Sequence, residues 1–199
     1  MTLEHLNRLL EAIRTARVAV LGDYCLDAYW FADLSRSEIS LETGLPTHPV
    51  ARQRSAPGGA GNVVTNLAAL GAGSLHALGV IGDDIWGREL LRLLQNSGAD
   101  TSGILTQTAH WDTLAYVKPH IEGREENRLD FGNFNELSRG TAQALIARLD
   151  ELASSVDVVV INQQVPQGIH TPFLREALAA AIARHPHIIF IADSRHFSG

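Results

Sequence analysis

Pro57-Gly58-Gly59-Ala60-Gly61-Asn62 stands directly before the run Val63-Val64-Thr65-Asn66-Leu67-Ala68-Ala69-Leu70-Gly71. The second run has apolar residues at helical spacing and ends in a glycine, so it predicts a helix that stops at Gly71. Glycines before a helix let the backbone turn sharply or approach a ligand closely, and the helix start offers unpaired N–H groups. Asn62 can cap this helix or face a ligand. These residues alone leave two interpretations open, a tight turn and a ligand-binding loop.

Strands alternate with helices on both sides of this stretch. The apolar runs at 17–23, 75–81, 156–161 and 188–192 predict buried strands. Helical periodicity appears at 3–16, 85–97, 141–152 and 169–184, with Ser138 as a candidate cap of the third of these helices. The alternation predicts one α/β domain over residues 1–199, a three-layer, doubly wound and mainly parallel sheet with helices on both faces.

Two segments, about 28–56 and 110–134, interrupt that alternation with short β-like pieces. The first contains the pieces 28–31 and 47–51, and the second contains 113–117 and 127–131 around a Glu122-Gly123 turn. We expect the two segments to pair into a small sheet that acts as a lid and excludes water from a site.

Composition excludes several classes of protein. The net charge is −6 and no Lys/Arg cluster occurs, which argues against nucleic acid as a partner. No apolar run reaches membrane-spanning length, so no membrane partner is expected, and the nine histidines show no metal-ligand arrangement. The single Cys25 cannot form an internal disulfide and fits a reducing, cytoplasmic location. No Gly-x-Gly-x-x-Gly follows the first strand, which argues against a nicotinamide-dependent oxidoreductase.

Four stretches in order resemble the ribokinase-type (PfkB) family of sugar kinases. They are Gly22-Asp23-Tyr24-Cys25-Leu26-Asp27; Pro57-Gly58-Gly59-Ala60-Gly61-Asn62; Gly79-Val80-Ile81-Gly82-Asp83-Asp84 with Gly98-Ala99-Asp100 after its helix; and Asn127-Arg128-Leu129-Asp130. The resemblance implies a ribokinase-like fold with a β lid and transfer of the ATP γ-phosphoryl group, with Mg²⁺, to a sugar hydroxyl.

Within that family, residues 37–46 resemble the lid segment of heptose-7-phosphate kinases. That branch has an arginine where this chain has Glu38. An acidic group that faced the site would repel a phosphorylated substrate. The sequence therefore leaves open a sugar, a sugar phosphate or a nucleoside as the substrate.

The resemblance assigns sugar binding to Asp27, Gly58, Gly59, Asn62 and Arg128. A carboxylate at Asp27 accepts hydrogen bonds from two hydroxyls at once. The alternatives are an Asx turn at Asp27 and an ion pair between Arg128 and Asp130.

Asn162, Asp193 and Arg195 come where predicted parallel strands end, which is the usual face for ligands. We expect Arg195 to contact nucleotide phosphates and Asp193 to act through Mg²⁺ or water. The alternative is a strand-end turn with a surface ion pair.

The family's catalytic aspartate belongs to a Gly-Ala-Gly-Asp motif that also forms the anion hole, and the 199 residues contain no such motif. The run Gly71-Ala72-Gly73 is followed by Ser74 at a predicted helix end and is no substitute. We therefore expect the catalytic aspartate, with the C-terminal part of the fold, to lie beyond Gly199. We also expect residues 1–199 alone to be inactive, with an unpaired sheet edge near 188–192.

A non-catalytic sugar- or nucleotide-binding module on the same fold is the main alternative, because a fold does not determine a function. The lid strands pair between subunits in many members of this family, so a homodimer through the lid is also expected.

Overall fold

The structure, a computed structural model, describes residues 2–196. These residues form two sheets with helices around the larger one. In chain order the elements are α1 Leu3–Ile13, β1 Arg17–Gly22, β2 Tyr24–Ala32, a short 3-10 helix Leu34–Arg36, β3 Val50–Gly59, α2 Ala60–Ala69, β4 Ser74–Ile81, α3 Ile85–Asn96, β5 Asp100–Thr106, β6 Leu114–Ile121, β7 Arg124–Glu125, β8 Leu129–Phe131, α4 Arg139–Leu152, β9 Val158–Gln163, α5 Pro172–Arg184 and β10 Ile189–Ser194.

The central sheet is parallel throughout and has the strand order β10-β9-β1-β4-β5. Its middle strand β1 is buried from Val18 to Gly22, because α2 and α3 pack on one face of the sheet and α4 and α5 on the other. Burial on both faces explains why β1 and β4 read as continuous apolar runs. The predicted three-layer, doubly wound architecture is confirmed.

The lid sheet contains β2, β3, β6, β7 and β8. β2 pairs antiparallel with β3 and parallel with β6, and the short β7 and β8 both pair with β6. The expected pairing of the two β-rich segments is therefore confirmed. Their bounds differ from the prediction, since the first segment begins at Tyr24, one residue after the central strand β1, and runs to Gly59, while the strands of the second lie between Leu114 and Phe131.

The bounds of the strand predicted at 47–51 are wrong, because β3 begins at Val50 and continues through the glycine-rich stretch to Gly59. Residues 50–54 are all exposed on an edge strand. Such a strand buries neither face fully, so its sequence lacks the apolar alternation by which strands are recognised. The sequence analysis did not predict β5 for a similar reason: it is an edge strand, and its first residues, Asp100-Thr101-Ser102, are polar.

Helix α5 starts three residues later than predicted, at Pro172. The Thr171 side chain caps it by accepting a hydrogen bond from the Leu174 N–H. The Ile169 N–H is already used by the Asp23 carboxylate, so this residue belongs to the preceding loop. Ser138 caps α4 as predicted, through the Thr141 N–H.

An aromatic cluster joins the lid sheet to helix α3. Trp30 on β2 and Trp86 on α3 have ring centroids 6.4 Å apart, and Phe131 on β8 lies 5.6 Å from Trp86. Trp30 projects from one side of the lid sheet. Its neighbours along β2 project from the other side, which covers the carboxyl edge of the central sheet.

Within residues 2–196, no helix is both long and apolar enough to cross a membrane. β10 has β9 as its strand neighbour and lies at the end of the described central sheet, where Ile189 and Ile191 are exposed. This is the open edge that the sequence predicts near 188–192.

Gly199, beyond which the catalytic aspartate is expected, lies outside the described residues. The last of these, His196, follows β10 by two positions, and its N–H donates a hydrogen bond to the Gln163 side chain at 2.9 Å. The position of the catalytic aspartate beyond Gly199 therefore stays a prediction.

Candidate functional site

A cavity of about 360 Å³ lies where the carboxyl ends of the central strands meet the lid sheet. Its walls come from the β1–β2 junction, β2, β6, the loop after β9 and the end of β10. The lining residues are Asp23, Cys25, Asp27, Gly59, Leu114, Tyr116, Lys118, Arg128, Gln164, Val165 and Arg195.

The register of the lid sheet brings the polar residues of two distant segments onto one face. β2 and β6 run parallel, with Asp27 opposite Tyr116 and Tyr29 opposite Lys118. Since side chains alternate along a strand, all four project from the same side of the lid, the side that faces the cavity. Asp27 therefore lies within a strand, and its interpretation as an Asx turn is wrong.

Lys118 forms an ion pair with Asp27, at 2.7 Å from Nζ to Oδ1. The ammonium also lies 3.4 Å from the Tyr29 hydroxyl and 4.8 Å from the centre of its ring. Partial burial by itself would lower the pKa of Lys118, but the hydrogen bonds to Asp27 and Tyr29 raise that pKa above its ordinary value. The sequence analysis missed Lys118, because only the pairing of β2 with β6 shows that it reaches Asp27.

The two glycines of the opening stretch lie at the end of β3 beside Asp27. A Cβ on Gly58 would lie 2.7 Å from Cys25 Sγ and 3.0 Å from Asp27 Oδ2, so the absence of a side chain leaves room for the carboxylate. Gly59 has φ +54° and is the N-cap of α2, and Asp23 supplies the acceptor for the first helical N–H. A glycine is needed there because a Cβ would overlap the Asp23 carbonyl oxygen.

Asn62 lies in the first turn of α2 and is exposed. It is not the cap of this helix, which is Gly59, and it is not among the residues that line the cavity. Its contact with a sugar remains a prediction.

Arg128 forms the ion pair with Asp130 that the sequence offered as an alternative, while its contact with a sugar stays a prediction. It donates two hydrogen bonds to the Asp130 carboxylate, from Nε at 2.5 Å and from the terminal nitrogen at 2.7 Å. Its guanidinium also lies 4.3 Å from the centre of the Tyr116 ring and lines the cavity. The hydrogen bonds from Arg128 to Asp130 raise the pKa of Arg128, while burial raises the pKa of Tyr116 to about 12.

The three predicted nucleotide-side residues lie at the ends of β9 and β10. Asn162 is buried and donates a hydrogen bond to Asp193 Oδ2 at 2.8 Å, so the two residues lie in neighbouring strands and not in a turn, and their contacts with a nucleotide stay a prediction. Asp193 is itself exposed, and Arg195 lines the cavity opposite the lid. Arg195 and Asp27 therefore border the same space.

Glu38, the residue that left the class of substrate undecided in the sequence, lies in the exposed loop between β2 and β3. Its backbone pairs with Thr47 through the Thr47 N–H and hydroxyl. Glu38 is not among the residues that line the cavity. On the lid itself, the Arg54 guanidinium lies 4.5 Å from the centre of the Tyr29 ring.

Cys25 lies at the floor of the cavity and is only 5% exposed. Burial, followed by the nearby Asp27 and Asp23 charges, raises the pKa of its thiol to about 12.

We expect the Cys25 thiol of the native protein at pH 8 to react with Ellman's reagent at least about a hundredfold more slowly than a free thiol, since the thiolate is the reactive form. The urea-unfolded chain, which has no other cysteine, is the control and should react at the ordinary rate. Rapid reaction of the folded protein would contradict this burial.

The amino-acid sequence of this chain is similar to the sequences of known sugar-phosphate kinases and bifunctional proteins. The chain is 38% identical over 190 residues to the D-beta-D-heptose 7-phosphate kinase of Bordetella bronchiseptica, covering 94% of this chain and 57% of that protein. It is 35% identical over 196 residues to the bifunctional protein HldE of Caulobacter sp., covering 97% of this chain and 38% of that protein. The chain thus spans between about two fifths and three fifths of the length of these two relatives.

Solved structures share the fold at lower sequence identity. The phosphofructokinase-2 of Escherichia coli in complex with fructose-6-phosphate matches with a TM-score of 0.61 at 21% identity, over 92% of this chain and 56% of that chain. A ribokinase of Cryptococcus neoformans in complex with ADP matches with a TM-score of 0.56 at 16% identity, over 93% of this chain and 51% of that chain. These likenesses establish the ribokinase-like fold. Residues 16–196 also match the model of the pfkB family of carbohydrate kinases, and the chain belongs to that family.

Proposed function

We propose that the protein to which this chain belongs transfers the γ-phosphoryl group of ATP to a hydroxyl of a phosphorylated sugar, and that this chain carries the sugar-binding half of the site. The observation that carries the proposal is the Asp27 carboxylate, held by Lys118 at a cavity beneath a β lid. The printed name of the Bordetella relative, a heptose 7-phosphate kinase, supports the same class of substrate.

On the sugar side, Asp27 accepts hydrogen bonds from the sugar hydroxyls. Gly58 and Gly59 allow the sugar ring to approach the backbone, while Asn62 and Arg128 complete its contacts. The reaction is mostly positioning and neutralisation of charge. The sugar oxygen forms the new P–O bond, the bond to the β-phosphate oxygen breaks, and ADP leaves.

On the nucleotide side, Arg195 contacts phosphate oxygens, and the exposed Asp193 carboxylate beside it is held by a hydrogen bond from the buried Asn162. Mg²⁺ is commonly held by one or two carboxylates together with substrate phosphates and water. An exposed Asp193 carboxylate at this edge fits such a metal, which supplies charge neutralisation when it is bound. Within residues 2–196 no cluster of three or more potential metal ligands occurs, so the nucleotide itself would bring most of the ligands.

The charge of the cavity favours a phosphorylated over a neutral sugar. Three cations line it, Lys118, Arg128 and Arg195, together with the carboxylates of Asp23 and Asp27; Lys118 pairs with Asp27, and Arg128 pairs with Asp130, which lies outside the lining. Attraction between such cations and a phosphate is strong at a partly buried site. Glu38 lies outside this lining, so it does not oppose an anionic substrate there.

The proton of the attacking hydroxyl needs a base, and the aspartate of a Gly-Ala-Gly-Asp motif beyond Gly199 is the expected one. In these 199 residues the nearest run, Gly71-Ala72-Gly73-Ser74, follows helix α2, with Gly71 at φ +83°. We therefore propose that residues 1–199 bind the sugar phosphate without phosphorylating it, because general-base catalysis alone contributes roughly 10²- to 10⁴-fold.

A ligand screen followed by an activity assay tests the function. Residues 1–199 are melted with D-heptose 7-phosphate, the matching neutral heptose, ribose and adenosine, and the stabilisation by each ligand is compared. We expect the heptose phosphate to raise the melting temperature most. The longer protein, with Mg-ATP, should then release ADP only when this sugar is present. Binding without ADP release by the longer protein would instead support a non-catalytic module.

The substitution Lys118→Met separates phosphorylated from neutral substrates. We expect it to weaken heptose 7-phosphate binding about tenfold or more, since a charged hydrogen bond contributes about 1.5–3 kcal/mol. Binding of the neutral heptose should change less, because methionine removes a cation that competes for Asp27. Calorimetric titration of both ligands checks this expectation, and equal losses for the two would contradict a phosphate contact at Lys118.

We further propose that the lid mediates a homodimer. Large apolar side chains are exposed around the far end of the lid, namely Leu34, Ile39, Leu41, Leu45 and Val50. Burying them against a second copy would remove apolar area from water. Light scattering should show a dimer that Leu41→Glu dissociates, and a monomeric wild-type protein would contradict this proposal.

A further inference from the structure

Asp23 is a buried carboxylate that the reaction above does not use. It is 1% exposed and occupies the single position between β1 and β2, where the central sheet passes into the lid sheet. Its main chain is bonded on both sides. The Asp23 N–H donates to the Asn162 carbonyl oxygen at 3.1 Å, and the Asp23 carbonyl oxygen accepts from the Ala60 N–H at 2.9 Å.

The Asp23 side chain holds a third part of the chain, the 164–169 segment between β9 and α5. Oδ2 accepts from the N–H groups of Gln164, at 2.8 Å, and Val165, at 3.1 Å. Oδ1 accepts from the Ile169 N–H at 2.9 Å. Three N–H groups aimed at one carboxylate form a strong clamp, since hydrogen bonds to an ionised acceptor are about twice as strong as neutral ones.

The clamped segment forms the wall of the cavity that faces the lid. Gln164 and Val165 both line the cavity, across from Asp27. The Gln164 side chain also donates to Asp193 Oδ2, at 3.3 Å, so the segment reaches the end of β10. Gly168 fits against the carboxylate only because it lacks a side chain, as a Cβ there would overlap Asp23 Oδ1.

We propose that Asp23 is a positioning residue, which fixes the 164–169 segment as the wall between the sugar side and the nucleotide side of the cavity. One consequence of this inference, that ligand affinity depends on the position of the wall, rests on the proposed function. The structural content of the inference, the clamp itself, can be measured without any ligand.

The first test is the substitution Asp23→Asn, read by amide hydrogen exchange in residues 1–199. An amide side chain offers one acceptor oxygen and one NH₂ group, so at least one of the three N–H groups would face a donor. We expect exchange at Gln164, Val165 and Ile169 to accelerate about tenfold or more, while amides of the central strands, such as Val20 and Leu78, keep their rates. Unchanged exchange in the segment, or equal acceleration throughout the molecule, would overturn the proposal.

The second variant, Gly168→Ala, disturbs the same contact from the segment's side and leaves the carboxylate intact. It should reproduce the local acceleration, and the double variant should be no worse than the more severe single variant. Independent contributions would instead add. Additive effects would therefore overturn the assignment of both residues to one clamp.

A matched control is Asp157→Asn. Asp157 pairs with Arg17 through backbone and side chain at the opposite end of β1 and β9. We expect this variant to leave exchange in the 164–169 segment unchanged, although it also removes a carboxylate that bridges the same two strands.

The consequence for function is measured by titrating D-heptose 7-phosphate into the same proteins. Asp23→Asn and Gly168→Ala should each raise the dissociation constant about tenfold, and Asp157→Asn should not. If the wild-type protein does not bind this ligand, the proposed substrate is wrong, and the exchange data still decide whether Asp23 clamps the segment. If it binds and the two variants bind equally well, the wall does not position the ligand and the inference is overturned.

Discussion

Asp27→Asn is expected to lower the kcat/KM of the longer protein for its sugar by about a hundredfold, because hydrogen bonds to a charged acceptor contribute about 1.5–3 kcal/mol. The carboxylate offers two oxygens to the hydroxyls, whereas an amide offers one. The substitution also leaves the Lys118 ammonium, 18% exposed, without its ion-pair partner. In residues 1–199, the same change should weaken sugar phosphate binding by a similar factor, as measured by calorimetry.

A carboxylate elsewhere in the lid provides the matched control. Glu125 lies on β7, is half exposed, and does not line the cavity. Glu125→Gln changes the net charge of the lid by the same amount and should leave kcat/KM within about twofold, because surface charges contribute little. Near-normal sugar phosphorylation by Asp27→Asn would remove Asp27 from the site.

Gly59→Ala is expected to destabilise the fold more than any other single change considered for this chain, by more than about 3 kcal/mol. At φ +54° and ψ −128°, Gly59 occupies a backbone region that side chains rarely permit, and a Cβ would overlap the Asp23 carbonyl oxygen. That oxygen also accepts the first hydrogen bond of α2. For a chain of this size, the melting temperature should fall by about 10 °C.

Gly44→Ala separates backbone strain from the overlap. Gly44 also has positive φ, +71°, but a Cβ there meets nothing within 4 Å. Its cost should stay near 1 kcal/mol, or about 2–4 °C in melting temperature. Equal losses for the two alanine variants would show that the Asp23 carbonyl moves aside without cost, contrary to this prediction.

The elements that are buried on both faces could be predicted from the sequence. β1, β4 and β9 are mostly apolar because helices cover both sides of them, and α4 carries the cap at Ser138 that the sequence predicts. β3 and β5 could not be predicted, since edge strands with exposed residues lack the apolar periodicity that marks a strand. The start of α5 depended on a hydrogen bond between Ile169 and Asp23, which lie 146 positions apart.

The residues of the candidate site could also be predicted only in part from the sequence. Asp27, Gly58 and Gly59 belong to short local motifs and could be proposed from the sequence. Lys118 could not be placed beside Asp27, because their meeting depends on the register between strands from distant segments. The clamp at Asp23 could likewise not be predicted from the sequence, since its three donors are backbone N–H groups, which every residue except proline supplies.

The aromatic cluster between the lid and α3 gives the protein an intrinsic optical reporter. Two of its three tryptophans, Trp30 and Trp86, face each other across the joint between the lid sheet and the helix layer, whereas Trp111 is buried in the core. Any movement of the lid that follows ligand binding would alter the separation of the two indoles and their access to water, and so shift the emission of the unlabelled protein. Lid position can thus be followed by fluorescence in real time, with no dye attached near the cavity.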